Sequence, residues 1–258
     1  MNSDFVLFAC VGVAAQFVDG ALGMGYGVVS STVLLSLGVA PANASASVHA
    51  AKVFTGAASA VSHVIYGNVD WKLLALLSVG GVAGGVLGAY VLTSVDGGAI
   101  KPFAVAWLGL MGLVILWRAW KGTRPKVGHW SKPMPLGFVG GFFDSVGGGG
   151  WGPVVTSTLL GDGTDPRKAV GTTNAAEFFV ATAVSVAFLG ALLSGHWDAD
   201  GLKDNLWSVA GLVAGGIVIA PIAGWTTKVL PLRLLTWLVG ALVTGLAIWQ
   251  TIELFAKH

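Results

Sequence analysis

The sequence predicts an all-α integral membrane protein of two inverted repeats, each a re-entrant helical hairpin plus three transmembrane helices. Three observations carry that prediction. The chain's 258 residues are 55% hydrophobic and only 10% charged, where a soluble domain carries about 25% charged residues. Apolar runs long enough to cross a bilayer recur from end to end, and mean hydropathy is +0.79. The segment Asp19–Phe54 also recurs without a gap as Asp144–Phe179, with 13 of 36 positions identical. Among the identities are Asp19/Asp144, Gly23/Gly148, Gly25/Gly150, Gly27/Gly152, Pro41/Pro166 and Phe54/Phe179.

The first element, 5–22, is an unbroken apolar run. The residues before it, Met1-Asn-Ser-Asp, lack the basic flank of a cleavable signal, so this segment is expected to stay. Its single cysteine, Cys10, is read as a small packing residue. A glycine break follows, and then the short run 26–37. The corresponding run in the second half is 151–160, preceded by 134–144 and another glycine break. At about 1.5 Å per residue, each short run reaches only about 15–18 Å, roughly half of a 30 Å hydrocarbon core. Each is therefore read as the returning arm of a hairpin. Such backbone is tolerated at that depth where it is buried in protein or lines a cavity.

The longer runs 43–65, 73–94 and 101–119 are the crossings of the first half. Those of the second are 166–194, 204–226 and 232–253. This gives an N-terminal membrane repeat, 1–119, and a C-terminal membrane repeat, 134–258. Between them, 120–133 is a polar linker carrying Lys121, Arg124, Lys126 and Lys132. Placing it in the cytoplasm puts ten basic side chains inside, three outside (Lys101, Lys203, Lys257) and Lys52 within the membrane. Asp198 and Asp200 fall outside. An odd number of crossings per half makes the repeats inverted. A model in which every hairpin arm spans fully would make them parallel.

Asp19, Lys52, Asp144 and Glu177 interrupt otherwise apolar stretches. Charges at a bilayer centre cost at least about 2.5–3.5 kcal/mol each on insertion scales, and mark pathways or buried pairs. Lys52 and Glu177 are repeat mates, each about 14–16 Å into its helix. Antiparallel mates can meet at their midpoints, so a Lys52–Glu177 ion pair is expected. The plainer alternative is that such a pair only neutralises itself and holds the halves together. One turn earlier stand another pair of mates, His49 and Asn174, on the same helix faces. His63 does not share that face and is expected near the cytoplasmic interface.

The glycine runs suggest the rest of a site. Gly25-Tyr26-Gly27 and Gly150-Trp151-Gly152 precede the short helices. A helix N-terminus offers unpaired N–H groups and partial positive charge, and glycine lets an anion come close. Asp19 and Asp144 would cap or orient the breaks. Tyr26 and Trp151 would pack on the substrate or wall the cavity. Lys52 would add charge, and Glu177 and His49 are candidates for coupling to protons. The alternative is that the glycines only permit close helix contact. No catalytic triad order, metal-ligand spacing or phosphate loop stands out, so no enzyme, metal or cofactor is expected. The alternatives are an anion channel and, more remotely, an intramembrane enzyme. The expected partners are a small anion, the lipid bilayer and a co-transported proton or sodium; a nucleic acid is not expected.

At these residues the chain resembles the TauE/SafE family of sulfite exporters and sulfonate permeases. The resemblance is carried by Phe17–Gly27, Ala44–Ala50, Gly67-Asn-Val-Asp-Trp71, Gly140–Gly152 and Gly171-Thr-Thr-Asn174. It covers nearly the whole chain. It implies a secondary transporter of the bacterial inner membrane that moves sulfite, thiosulfate or an organosulfonate such as sulfoacetate.

Overall fold

Helix is the only regular structure among the described residues, as a backbone immersed in hydrocarbon requires. The computed structural model describes residues 3–121, 132–198, 206–223, 225 and 232–256. Most of the basic linker, with Arg124 and Lys126, lies outside them, as do Asp200, Lys203, Lys228 and Lys257.

The N-terminal half contains α1 (Ser3–Leu22), α2 (Tyr26–Ser36), α3 (Pro41–Ile65), α4 (Trp71–Ser94) and α5 (Gly97–Lys121). The C-terminal half begins with α6 (Pro133–Gly147). A π-helical turn, Gly152–Thr156, leads directly into α7 (Ser157–Gly161). Then come α8 (Pro166–Leu193), α9 (Leu206–Ile219) with a 3-10 turn at Ala220–Ile222, and α10 (Leu232–Ala256). Pro41 and Pro166 open α3 and α8, where a missing N–H costs nothing. Asp165 caps α8 by accepting from Arg167 and Lys168 N–H, and Asp70 caps α4 by accepting from Leu73 N–H.

The repeat is visible in the backbone. Gly23 and Gly148 have φ of 64° and 70°, and Gly38 and Gly163 have 87° and 93°. These left-handed conformations follow α1, α6, α2 and α7, so equivalent helices end in equivalent turns. Partners are exchanged between repeats as well: α1 lies along α9, and α6 lies along α4. Mated helices pack on each other, α3 on α8 and α5 on α10. The α3–α8 pair is antiparallel: Lys52 meets Glu177, Ser59 meets Asn174, and Asn68 meets Gly171. So is α5–α10, with Gly109 on Ala247, Gly112 on Thr244 and Leu116 on Gly240.

The closest packing is made by glycine. A Cβ at Gly80 or Gly84 of α4 would overlap the carbonyl oxygens of Met134 or Phe138 on α6, and one at Gly215 of α9 would overlap Ala9 of α1. Small residues let backbones approach in this way in membranes, where no hydrophobic force drives helices together.

Among the described residues, five helices are long and apolar enough to cross a bilayer: Phe5–Leu22, Trp71–Ser94, Gly97–Lys121, Pro166–Leu193 and Thr236–Ala256. The set differs from the expected crossings at three places. The polar stripe of α3 lowers its hydropathy, and the 14 residues of α9 fall short of a span. The first arm, α1, is 20 residues long where its mate α6 has 15, so it is not a half-depth arm by length alone. Its extra N-terminal residues pack Phe5 edge-on against Trp207 at 6.3 Å.

The ends of the bundle differ in charge. At one end Lys168 Nζ donates to Gly67 and Val69 carbonyls at 2.9 Å, and Arg233 Nε donates to Ala119 O at 2.9 Å. Lys72, Arg118, Lys121, Lys132 and Arg167 belong to the same end. The opposite end holds Ser94 bonded to His196, with Asp96, Lys101 and Asp198 nearby in the chain. One sequence expectation fails locally. Cys10 faces out of the bundle rather than packing inside it. His63, in the last turn of α3, is fully buried, with Nδ1 at 3.3 Å from Asn68 Nδ2 in the connection that follows.

Candidate functional site

Charged residues inside an apolar bundle need partners, and here they find one another. Lys52 of α3 donates to Glu177 Oε1 of α8 at 2.7 Å, which is the ion pair expected from the mated positions. It also donates to both oxygens of Asp144, at 3.0 and 3.2 Å. Asp144 is expected to cap or orient the glycine break. It does this too: its Oδ1 also accepts from Gly150 and Trp151 N–H at 2.8 and 3.1 Å. Asp19 repeats that capping on the other side, accepting from Tyr26 N–H at 3.3 Å. The first N–H groups of both returning arms are thus already occupied by carboxylates.

His49 stands behind this cluster. Its Nε2 lies 3.1 Å from Asp144 Oδ2, and its Nδ1 lies 2.8 Å from the Ser45 carbonyl oxygen. If Nδ1–H donates to that carbonyl, Nε2 carries a proton only when the ring is charged; the opposite tautomer donates to Asp144. Ser45 Oγ donates to Ser145 O at 2.6 Å, so the stripe Ser45–His49–Lys52 faces α6 as a unit. Its mate stripe differs. Asn174 accepts from Ser59 Oγ at 3.2 Å and donates to Val170 O at 3.1 Å, with Asp19 O at 3.5 Å.

The two glycine breaks touch. Gly149 packs against the backbone of Gly27 and Val28, Gly152 against Gly23 and Met24, and Ser31 Oγ donates to Gly148 O. Thr156 Oγ1 donates to Gly23 O at 2.6 Å. A Cβ on Gly27 would come within 2.7 Å of Lys52 Nζ, so glycine is what admits the ammonium there. Asp19, Gly25, Gly27, Lys52, Asp144, Gly150, Gly152 and Glu177 line one crevice, narrower than a water molecule. The site is therefore closed. Tyr26 and Trp151, expected to pack on the substrate or wall the cavity, are buried but do not line this crevice. Tyr26 donates its hydroxyl to Leu212 O at 3.1 Å, and Trp151 Nε1 donates to Thr173 O at 3.0 Å.

Sequence reading missed two contributors. Trp107 stacks on Phe143 at 4.3 Å and donates Nε1 to Gly149 O at 3.1 Å, holding the second break from outside. No local pattern marks it. Met24, within the first break, separates this crevice from a cavity nearer the basic end; its place in the glycine run was the available signal.

Among the described residues, no group of three or more His, Cys, Asp or Glu is arranged to hold a metal ion.

Comparison with known proteins agrees with the motifs. The family model described as sulfite exporter TauE/SafE matches residues 8–249. The probable membrane transporter protein YtnM of Bacillus subtilis (strain 168) is 42% identical over 245 residues, covering 92% of this chain and 79% of that protein. No solved structure matches. A match over nearly the whole chain shows that this multi-pass membrane protein belongs to the TauE/SafE sulfite exporter family.

Proposed function

We propose that this protein is a secondary transporter of the bacterial plasma membrane. In this reading it moves a small sulfur-containing anion, such as sulfite, thiosulfate or an organosulfonate like sulfoacetate, by alternating access. The carrying observation is the meeting of two aligned glycine breaks around a buried cluster of Asp19, Lys52, Asp144 and Glu177. A broken segment at matching points of two repeats is the usual place for a transporter site. The sulfur-containing substrate class rests on the family.

The inverted arrangement has support in packing. Mated helices α3/α8 and α5/α10 run antiparallel, so the axis relating the halves is perpendicular to them. In a bilayer that axis lies in the membrane plane, and each half's short arm returns toward the side its hairpin entered from. The basic end is then cytoplasmic.

Charge suggests the coupling. Two carboxylates, Asp144 and Glu177, hold one ammonium, a third, Asp19, lines the same crevice, and His49 adds a positive charge only when protonated. An anion entering an already negative site is repelled unless protons enter with it. Proton uptake by Glu177 releases part of the hold on Lys52, and proton uptake by Asp19 loosens its cap on the first arm, leaving the ammonium and that arm's N-terminus to face the anion. Binding of both together then favours reopening, as a ligand with differential affinity shifts a two-state equilibrium.

The test is uptake into proteoliposomes of the full-length protein, with sulfite, thiosulfate and sulfoacetate supplied under an imposed proton gradient, a sodium gradient, or neither. Saturable accumulation that collapses with a protonophore is expected. Large currents linear in voltage would make the protein a channel, and accumulation driven by sodium alone would remove the proton from the scheme.

A further inference from the structure

The closed crevice is not the only space between the two repeats. A cavity of about 250 Å³ opens nearer the basic end, bounded by the tip of the first hairpin, the end of α5 and the starts of α8 and α10. Arg118, in the last turn of α5, is partly buried at its wall. Its Nη1 donates to Ser157 Oγ at 2.6 Å and lies 3.4 Å from Met24 Sδ. Among the described residues no carboxylate lies within ion-pair distance of it. The neighbouring Arg233 is committed differently: its Nε and Nη2 donate to the carbonyls of Ala119 and Trp120, closing the C-terminus of α5.

A guanidinium drawn from water without a counter-charge is costly, and its fork geometry matches the oxygens of a sulfonate or carboxylate. The remaining walls are mostly apolar, with Leu22, Met24, Leu160 and Val170 among them. An inorganic anion would leave those walls unmatched. The cavity's size suits a compound of several heavy atoms, below the range of drug-sized pockets. Met24 touches both spaces, lining the cavity and packing its backbone against Gly152 of the crevice.

We propose that this cavity is a second anion site on the cytoplasmic side. It holds an organic anion with its oxyanion head on Arg118 and a small apolar substituent against Leu22, Leu160 and Val170. Met24 is the barrier between it and the central crevice. The proposal rests on the transporter reading and adds to it a preference for anions that carry an apolar group.

The test is calorimetric titration of full-length, delipidated protein with propanesulfonate and with sulfite. The variants are Arg118→Gln, Arg118→Lys and Val170→Phe, which fills the cavity and leaves Arg118 in place. Loss of a charge-assisted contact is expected to weaken propanesulfonate about tenfold or more in Arg118→Gln, with sulfite changed much less. Partial recovery is expected in Arg118→Lys, and a loss selective for propanesulfonate in Val170→Phe. Should Arg118→Gln fail to fold, the other two variants decide. Wild-type affinity for propanesulfonate in all folded variants overturns the second site, while proteoliposome uptake shows whether the transporter reading still stands. If the wild type neither binds nor transports either anion, both readings fall. If phosphatidylglycerol displaces propanesulfonate from the wild type and binds Arg118→Gln more weakly, while propanesulfonate has no effect on uptake, the cavity is a lipid headgroup site and the proposal is wrong.

Discussion

Lys52 concentrates the physics of this protein at the scale of one residue. It holds two carboxylates from the opposite repeat, Asp144 and Glu177, in surroundings that exclude water. Breaking such a pair from one side leaves uncompensated charge and costs about 3–5 kcal/mol, while removing both sides can be neutral. Lys52→Met alone is therefore expected to lower the thermal midpoint in detergent sharply. Glu177→Leu in addition is expected to restore only part of the loss, because Asp144 still lacks its ammonium. Full recovery in the double variant would mean that Asp144 does not depend on Lys52. Transport separates the functional reading from the structural one. Lys52→Met/Glu177→Leu is expected to transport no anion even where it folds, and unchanged uptake would reduce the pair to a staple between halves. The repeat alignment made the Lys52–Glu177 contact legible in advance. Asp144's place in it was not, because capping a break and binding an ammonium leave the same mark in sequence: one aspartate before glycines.

Helices here are held by what their glycines lack. The α4–α6 and α1–α9 pairs approach until one helix's carbonyls sit where a Cβ would be. Gly84→Ala is thus expected to push α4 from α6, lowering the thermal midpoint and the yield of monodisperse protein. Gly190→Ala meets nothing within 4 Å in α8 and serves as its control. There alanine is expected to be neutral or to stabilise by about 0.5–1 kcal/mol. Equal effects at both positions would show that helix propensity, rather than interhelical contact, sets the outcome. Sequence marked the glycine breaks at 23–27 and 148–152 because they recur beside an aspartate. The stripe Gly80, Gly81, Gly84, Gly85 and Gly88 carried no such company, and which neighbour it meets depends on a helix from the other half. Likewise α1 reads as a crossing by length and as a hairpin arm by repeat, and composition cannot choose between them.

For the whole molecule, the inverted reading makes a prediction about sides. With Cys10 replaced by serine, cysteines introduced at Lys72 and Lys121 are expected to react with a membrane-impermeant maleimide only from the cytoplasmic face. Those introduced at Lys101 and Asp198 should react only from outside. Labelling of Lys72 and Lys101 positions from the same face would break the proposed topology, since Lys72 stands at the start of the crossing α4 and Lys101 follows its end, in the first turns of α5.

By itself the sequence determined that this is a helical membrane protein, that it is duplicated, and where the two copies break. Those facts are written in composition, periodic length and residue identity, which are local or self-similar properties. Only the tertiary structure decided that α3 and α8 meet antiparallel, that Asp144 completes the ion pair, that Trp107 braces the second break, and that Arg118 stands at the wall of a cavity. Each of these joins residues tens of positions apart or more. The physical reason is the same throughout: a buried charge selects its partner by distance in space, and distance along the chain says little about it.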